Sequence, residues 1–303
     1  MILFKQMMVL FVIMIFGFGM ARKGVLDKHV CKSISWMIVN VANPALIISG
    51  SLESSGITQS EFLILLGMAF LMFVVLIILG EIVVCLFHFN KKENGVYKVM
   101  FVFSNIGFMG FPIISAMYGA EALLYASVFL LPFNLLIYTY GIYSMSGQGM
   151  GWKYTLKKIA NAGVLACILT FVIAFCRISL PEPVEKVITM LSQLTAPLSM
   201  MVIGASFAEM KIREVFSEWK LLAFTAVKLF VVPLAGYLVL HLVVKEPMLL
   251  GVIMILLSTP AASMAAMLAE QYDGDVRTAS KGIAITTLIS ILSMPLVFAI
   301  AGL

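Results

Sequence analysis

Two short stretches in an otherwise apolar chain hold the residue types from which a binding site is built. They are Ser104-Asn105-Ile106-Gly107-Phe108-Met109-Gly110-Phe111-Pro112 and Ser258-Thr259-Pro260-Ala261-Ala262-Ser263. Two glycines and a proline within six positions interrupt a helix, and Pro112 suits the first turn of one that restarts. A restarted helix presents bare N–H groups and roughly half a positive charge, chemistry that suits a carboxylate. The end of the preceding half-helix presents carbonyls that suit a cation. Asn105, Ser258, Thr259 and Ser263 would add orienting hydrogen bonds, with Gly107, Gly110, Pro112 and Pro260 shaping the backbone around them.

The elements that must position these stretches are membrane spans. The chain has 303 residues, 62% hydrophobic and 12% charged, with mean hydropathy +1.09. Soluble domains carry about 25% charged residues, so a water-soluble globule is excluded. A span needs about 20 apolar residues to cross about 30 Å of hydrocarbon. The apolar runs predict ten, at 2–21, 30–52, 62–87, 97–118, 122–144, 159–180, 184–208, 220–243, 248–269 and 277–301. A β-barrel would alternate, whereas these runs are continuously apolar. The fold class is therefore an all-α integral membrane protein. The first twenty residues are read as the first span: Lys5 is the only charge ahead of Arg22, and no small-x-small cleavage site precedes it. At the depth of spans four and nine, unwound backbone is tolerable only where it is buried or lines a wet cavity.

Positive charge sets the orientation. The loops after the odd-numbered spans hold Arg22, Lys23, Lys28, Lys32, Lys91, Lys92, Lys98, Lys153, Lys157, Lys158, Lys211, Arg213, Lys220, Arg277 and Lys281, 15 of the 20 basic residues. Those loops face the cytoplasm and both termini face outside, as expected of a multi-pass protein of the cell membrane. The pI near 9.0 is this asymmetry and implies no nucleic-acid partner.

Ten spans divide into an odd five and five, so related halves would be inverted repeats. The predicted parts are a first repeat over 1–145, a cytoplasmic linker over 146–158 and a second repeat over 159–303. The punctuation matches. Span two has Ala42-Asn43-Pro44-Ala45-Leu46 and then Ser49-Gly50-Ser51, while span seven has Thr195-Ala196-Pro197-Leu198 and then Gly204-Ala205-Ser206. Pro112 pairs with Pro260 and Pro132 with Pro295. Span four runs outward and span nine inward, so breaks at matching depth bring two half-helix N-termini and two C-termini together. Asn43 and Pro44 complete the candidate substrate-binding set.

An ionisable residue at mid-membrane costs about 2.5–3.5 kcal/mol on insertion scales and wants a partner or a role. Glu81 in span three and Lys228 in span eight lie at similar depth, and a Glu81–Lys228 pair is expected, either a structural bridge or a coupling site for H⁺ or Na⁺. His29 and His88 belong to inner loops and His241 to the outer end of span eight. The four cysteines, Cys31, Cys85, Cys167 and Cys176, have no metal spacing and read as small buried hydrophobes. Gly147-Gln148-Gly149-Met150-Gly151 reads as a hinge between halves, lacking the strand and lysine of a phosphate loop. No metal or cofactor is expected.

These motifs resemble the auxin efflux carrier family over the whole chain: the NPALI-type break in span two, NIGFMGFP in span four, APL and IGAS in span seven, TPAASMAAMLAEQY in span nine. The resemblance implies two inverted five-helix repeats in which helices four and nine cross, as in bile-acid symporters. It also implies a scaffold, a moving core and often a homodimer. It places Asn105, Pro112, Pro260 and the residues after it at the crossover. Bacterial members are described as transporters of small organic acids such as malate or malonate. One departure stands out: Met264 and Ala265 follow the span-nine proline where relatives often have asparagine or a second proline.

The expected function is secondary transport of a small organic anion by alternating access, and not an enzyme. A channel is the alternative, but channels assemble pores from rings of subunits or charged constrictions that this chain lacks. An intramembrane hydrolase would need Ser206 and His241 as a pair, yet Phe207 replaces the glycine expected after the serine.

Overall fold

A computed structural model describes residues 2–52, 58–146, 161–208, 218–272 and 274–303. These fold into α1 (Ile2–Arg22), α2 (Lys28–Leu52), α3 (Gln59–Phe87), α4 (Lys91–Val102), α5 (Ile106–Tyr118), α6 (Ala122–Ser146), α7 (Ala162–Cys176), α8 (Glu182–Ala208), α9 (Trp219–Val243), α10 (Pro247–Ser258), α11 (Met264–Gln271) and α12 (Val276–Ala301). Seven of them, α1, α2, α3, α6, α8, α9 and α12, are long and apolar enough to cross a membrane. No strand occurs among the described residues, so the all-α membrane class stands. Span four is the pair α4 and α5, and span nine the pair α10 and α11. The linker beyond Ser146, the Gly147–Gly151 stretch and the basic residues Lys153, Lys157, Lys158, Lys211 and Arg213 lie outside the described residues.

Caps fix where the helices begin. Asp27, Asn161 and Asp275 accept the N–H groups of Val30, Val164 and Thr278, and Thr58 with Glu61 forms a capping box at the start of α3. At the end of α3, His88 turns the chain in the left-handed region at φ 49°.

Prolines shape the interior turns. Wide turns at Ile38–Ala42, Ile106–Gly110 and Val227–Val231 run up to Pro44, Pro112 and Pro233. A proline lacks the N–H and crowds the carbonyl four residues back; a widened turn accommodates both. This corrects two expectations. Span two is not broken at Asn43-Pro44, because α2 runs through it. Span four does break, but at Phe103–Asn105, ahead of the glycines, and Gly107, Gly110 and Pro112 all belong to the restarted helix.

Packing follows residue size. A Cβ on Gly204 of α8 would stand 1.9 Å from Met14 O of α1, and one on Gly17 would stand 2.2 Å from Met201 O, so glycine brings these two backbones together. Apolar side chains such as Phe16, Leu71, Leu238 and Leu292 point outward, as a hydrocarbon solvent allows. Only Cys167 of the four cysteines is buried; Cys85 and Cys176 lie on outward faces.

Candidate functional site at the helix crossing

The two breaks meet. Ser104 and Ala261 form an isolated antiparallel β-bridge, with Asn105 N donating to Pro260 O at 2.8 Å and Ala262 N to Phe103 O at 2.9 Å. Backbone that leaves both helices therefore satisfies itself across the crossing, the condition for irregular chain at membrane depth. Phe103, Phe73 of α3 and Phe133 of α6 pack ring against ring beside it, with centroids 5.4–6.2 Å apart.

Asn105 starts α5 by capping: its Oδ1 accepts the Phe108 N–H at 3.2 Å. Its backbone oxygen accepts from Met109 and Gly110. The expected orienting role thus falls to a residue whose side-chain oxygen is already engaged. Gly107 follows in the widened first turn, where a Cβ would lie 3.0 Å from Asn43 Nδ2. This brings Asn43 of α2, and Pro44 beside it, to the start of α5. A Cβ on Gly110 would contact Thr259 Cγ2 at 3.7 Å, which joins the two stretches a turn further on.

On the other strand, Thr259 Oγ1 donates to Leu256 O and closes the end of α10. Ser258 is fully buried, and its hydroxyl has no hydrogen-bond partner; the same is true of the buried Asn43 Oδ1. They are two of seven such atoms among the described residues, with Asn94, Thr170, Thr195, Ser199 and Ser293 holding the others, and at the crossing each is a place for a ligand or water to complete the set. Ser263 precedes α11 without a side-chain cap bond. Ser104, Asn105, Ser258 and Thr259 are buried, whereas Gly107, Phe108, Ser263 and Met264 at the starts of the two restarted helices are partly exposed. The accessible part of the crossing is thus the end that presents N–H groups.

The Glu81–Lys228 pair does not form. Glu81 bonds Lys98 at 2.6 Å and accepts from Tyr140 OH at 3.0 Å. Lys228, buried at 2% exposure, points its Nζ at Phe101 O and Ser104 Oγ, each at 3.0 Å. Equal depth along two spans says nothing of the direction each side chain takes around its helix. Lys228 belongs instead to the crossing. The Ser206 hydroxyl donates to Val202 O and His241 lies on Tyr237, so these two do not pair.

Sequence reasoning missed Thr286 of α12, whose Oγ1 accepts the Ala261 N–H at 3.2 Å. A signal was available in the row Thr286, Thr287, Ser290 and Ser293, small polar residues at helical spacing in an apolar span.

The family model described as membrane transport protein matches residues 2–298. An uncharacterized transporter of Methanocaldococcus jannaschii is 25% identical over 306 residues, covering 95% of this chain and 96% of its own. Another uncharacterized transporter, from Methanothermobacter thermautotrophicus, is 24% identical over 293 residues, covering 94% of each chain.

Proposed function

The chain belongs to the membrane transport protein family, the auxin efflux carriers that its motifs resemble, and is a multi-pass membrane transporter; on that premise we propose that it moves a small organic anion of the malate or malonate class by alternating access through the crossing. The observation that carries this reading is the meeting of two restarted helices at one buried bridge, with unpaired Asn43 Oδ1 and Ser258 Oγ beside it. Two N-termini supply partial positive charge and donors, and the Ser258 hydroxyl supplies a further donor. Asn43, Pro44, Asn105, Gly107, Gly110, Pro112, Ser258, Thr259, Pro260 and Ser263 form the substrate site in this reading, either as donors or as the backbone that shapes it.

The two halves, 1–145 and 159–303, act as inverted repeats. In support, α1 packs along the second half of α8, while α7 packs along the second half of α2, the same contact with the halves exchanged. Exchanging the conformations of two such halves converts an outward-open into an inward-open state. A moving core sliding against a fixed scaffold, both termini outside the cell membrane, and assembly as a homodimer complete the proposal. Drive comes from an ion gradient, H⁺ or Na⁺, the membrane potential or the substrate's own gradient.

The test is uptake of labelled malate, malonate and an indole carboxylate into proteoliposomes under imposed pH, sodium and voltage gradients, beside Asn105→Ala. Saturable uptake of one acid, lost in the variant, is the expected result. Folded protein in sealed vesicles that takes up none of the three overturns the organic-acid assignment.

A further inference from the structure

Among the described residues Lys228 is the only charged side chain that is fully buried. It lies in the widened turn Val227–Val231 of α9, and its two acceptors, Phe101 O and Ser104 Oγ, carry no formal charge. Phe101 is next to last in α4, so its carbonyl is one of those at the negative end of that half-helix. Ser104 is one residue before Asn105 and forms the bridge itself. The ammonium thus occupies the carbonyl end of the first break.

Among the described residues no carboxylate pairs with it. On α4, Lys98 is paired with Glu81, and Tyr97 packs on Phe89 and Phe224. Arg277 and Lys281 stand in the first turns of α12, with Lys281 paired to Glu218, and α10 carries no ionisable residue. On α9 itself, Lys220 donates to His88 O, while Tyr237 and His241 lie beyond Pro233. An ammonium has three donors, and two are used. A buried charge with only neutral partners is costly unless a counter-charge arrives.

We propose that Lys228 is the chain's own cation at the crossing: its ammonium stands where a coupling sodium ion would meet the α4 carbonyls, and it pairs with the carboxylate of the transported anion. Sodium is excluded from that end because the Lys228 Nζ already occupies the Phe101 carbonyl and the Ser104 hydroxyl, and the substrate's negative charge supplies the counter-charge that holds the proton on the amine. The inference deepens the organic-anion reading and rests on it for the identity of the counter-ion. Transport is then independent of Na⁺.

Two measurements on the full-length protein separate the parts. In proteoliposomes, malonate uptake is unchanged when Na⁺ is replaced by K⁺ on both sides, and Lys228→Met lowers it roughly 100-fold or more, the cost of removing one partner of a buried charge pair. Lys228→Arg restores a measurable part, because the charge remains. Uptake by Lys228→Met at the normal rate, or a requirement for Na⁺, overturns the proposal. The second measurement needs neither a variant nor a substrate: thermal unfolding of the unmodified protein in NaCl against KCl at equal ionic strength. Equal melting temperatures uphold the exclusion of sodium even if no carboxylate is transported, a result that would count against the organic-anion reading alone. Stabilisation specific to Na⁺ overturns it.

Discussion

At the crossing, the first break ends α4 against a lysine from another helix, whereas the second ends α10 against its own Thr259. Both breaks contribute to the same bridge, and both lead into a restarted helix. Beyond that their polar equipment differs. The α4–α5 arm has Asn105 Oδ1 as a cap and Lys228 bonded to Phe101 O and Ser104 Oγ. The α10–α11 arm has an unpaired Ser258 hydroxyl, no side-chain cap on α11, and one outside strap, from Thr286 to the Ala261 N–H. Matching backbone therefore does not mean matching chemistry. One arm holds the charge, and both border unpaired hydrogen-bonding atoms, Asn43 Oδ1 beside α5 and Ser258 Oγ at the end of α10.

Removing the charge should have the largest effect. Lys228→Met lowers anion uptake roughly 100-fold; it also leaves Phe101 O without its donor, a cost of about 1–3 kcal/mol that is offset by no longer burying an ammonium, so the melting temperature moves little. The corresponding change at the other arm, Thr259→Val, removes a hydroxyl and its bond to Leu256 O but no charge, so uptake falls less, about tenfold. Equal losses from the two would erase the difference between the arms. Thermal unfolding then tests the strap: Thr286→Val leaves the buried Ala261 N–H without an acceptor and costs about 1–3 kcal/mol, and an unchanged melting temperature would show that the strap is dispensable.

Ser258→Ala sharpens the comparison differently. It removes a hydroxyl that bonds nothing in the protein, so stability holds or improves. The concentration for half-maximal uptake rises about tenfold, the equivalent of one hydrogen bond near 1.4 kcal/mol. Smallest of all is Glu81→Gln. The Glu81–Lys98 pair is partly exposed, with side-chain exposures of 46% and 25%, and such pairs contribute about 0–1 kcal/mol. Uptake that collapses in this variant would return Glu81 to the transport machinery.

Much of this was legible in the residues. Hydropathy located the long helices, because a span must be apolar along its length whatever it packs against. Glycine and proline marked the two stretches that cross, because few other residues interrupt a helix so reliably. The place of the break was legible only to within a few residues. Asn105 caps α5 three residues ahead of Phe108, and the widened turn absorbs the proline that was expected to cause the interruption. The same device hid the continuity of α2 through Pro44. The charge of Lys228 marks it in the sequence, but its partners are not legible there, since depth along a span does not fix direction around it. The role of Thr286 is not legible in the sequence, because it depends on a backbone N–H freed by a break elsewhere in the chain.

In the proposed mechanism the anion binds where α5 restarts. The most direct test is Gly107→Val, whose side chain would fill the space between the first turn of α5 and Asn43 Nδ2, 3.0 Å from the added Cβ. The neighbour is the end of a side chain that must give by a few tenths of an ångström, so the melting temperature of the variant is measured first to establish that it folds. Labelled malonate uptake into proteoliposomes is then compared with that of the unmodified protein. Saturable uptake by the unmodified protein and none above empty vesicles by the variant is the expected result. Equal uptake by both would contradict it and move the site away from the crossing.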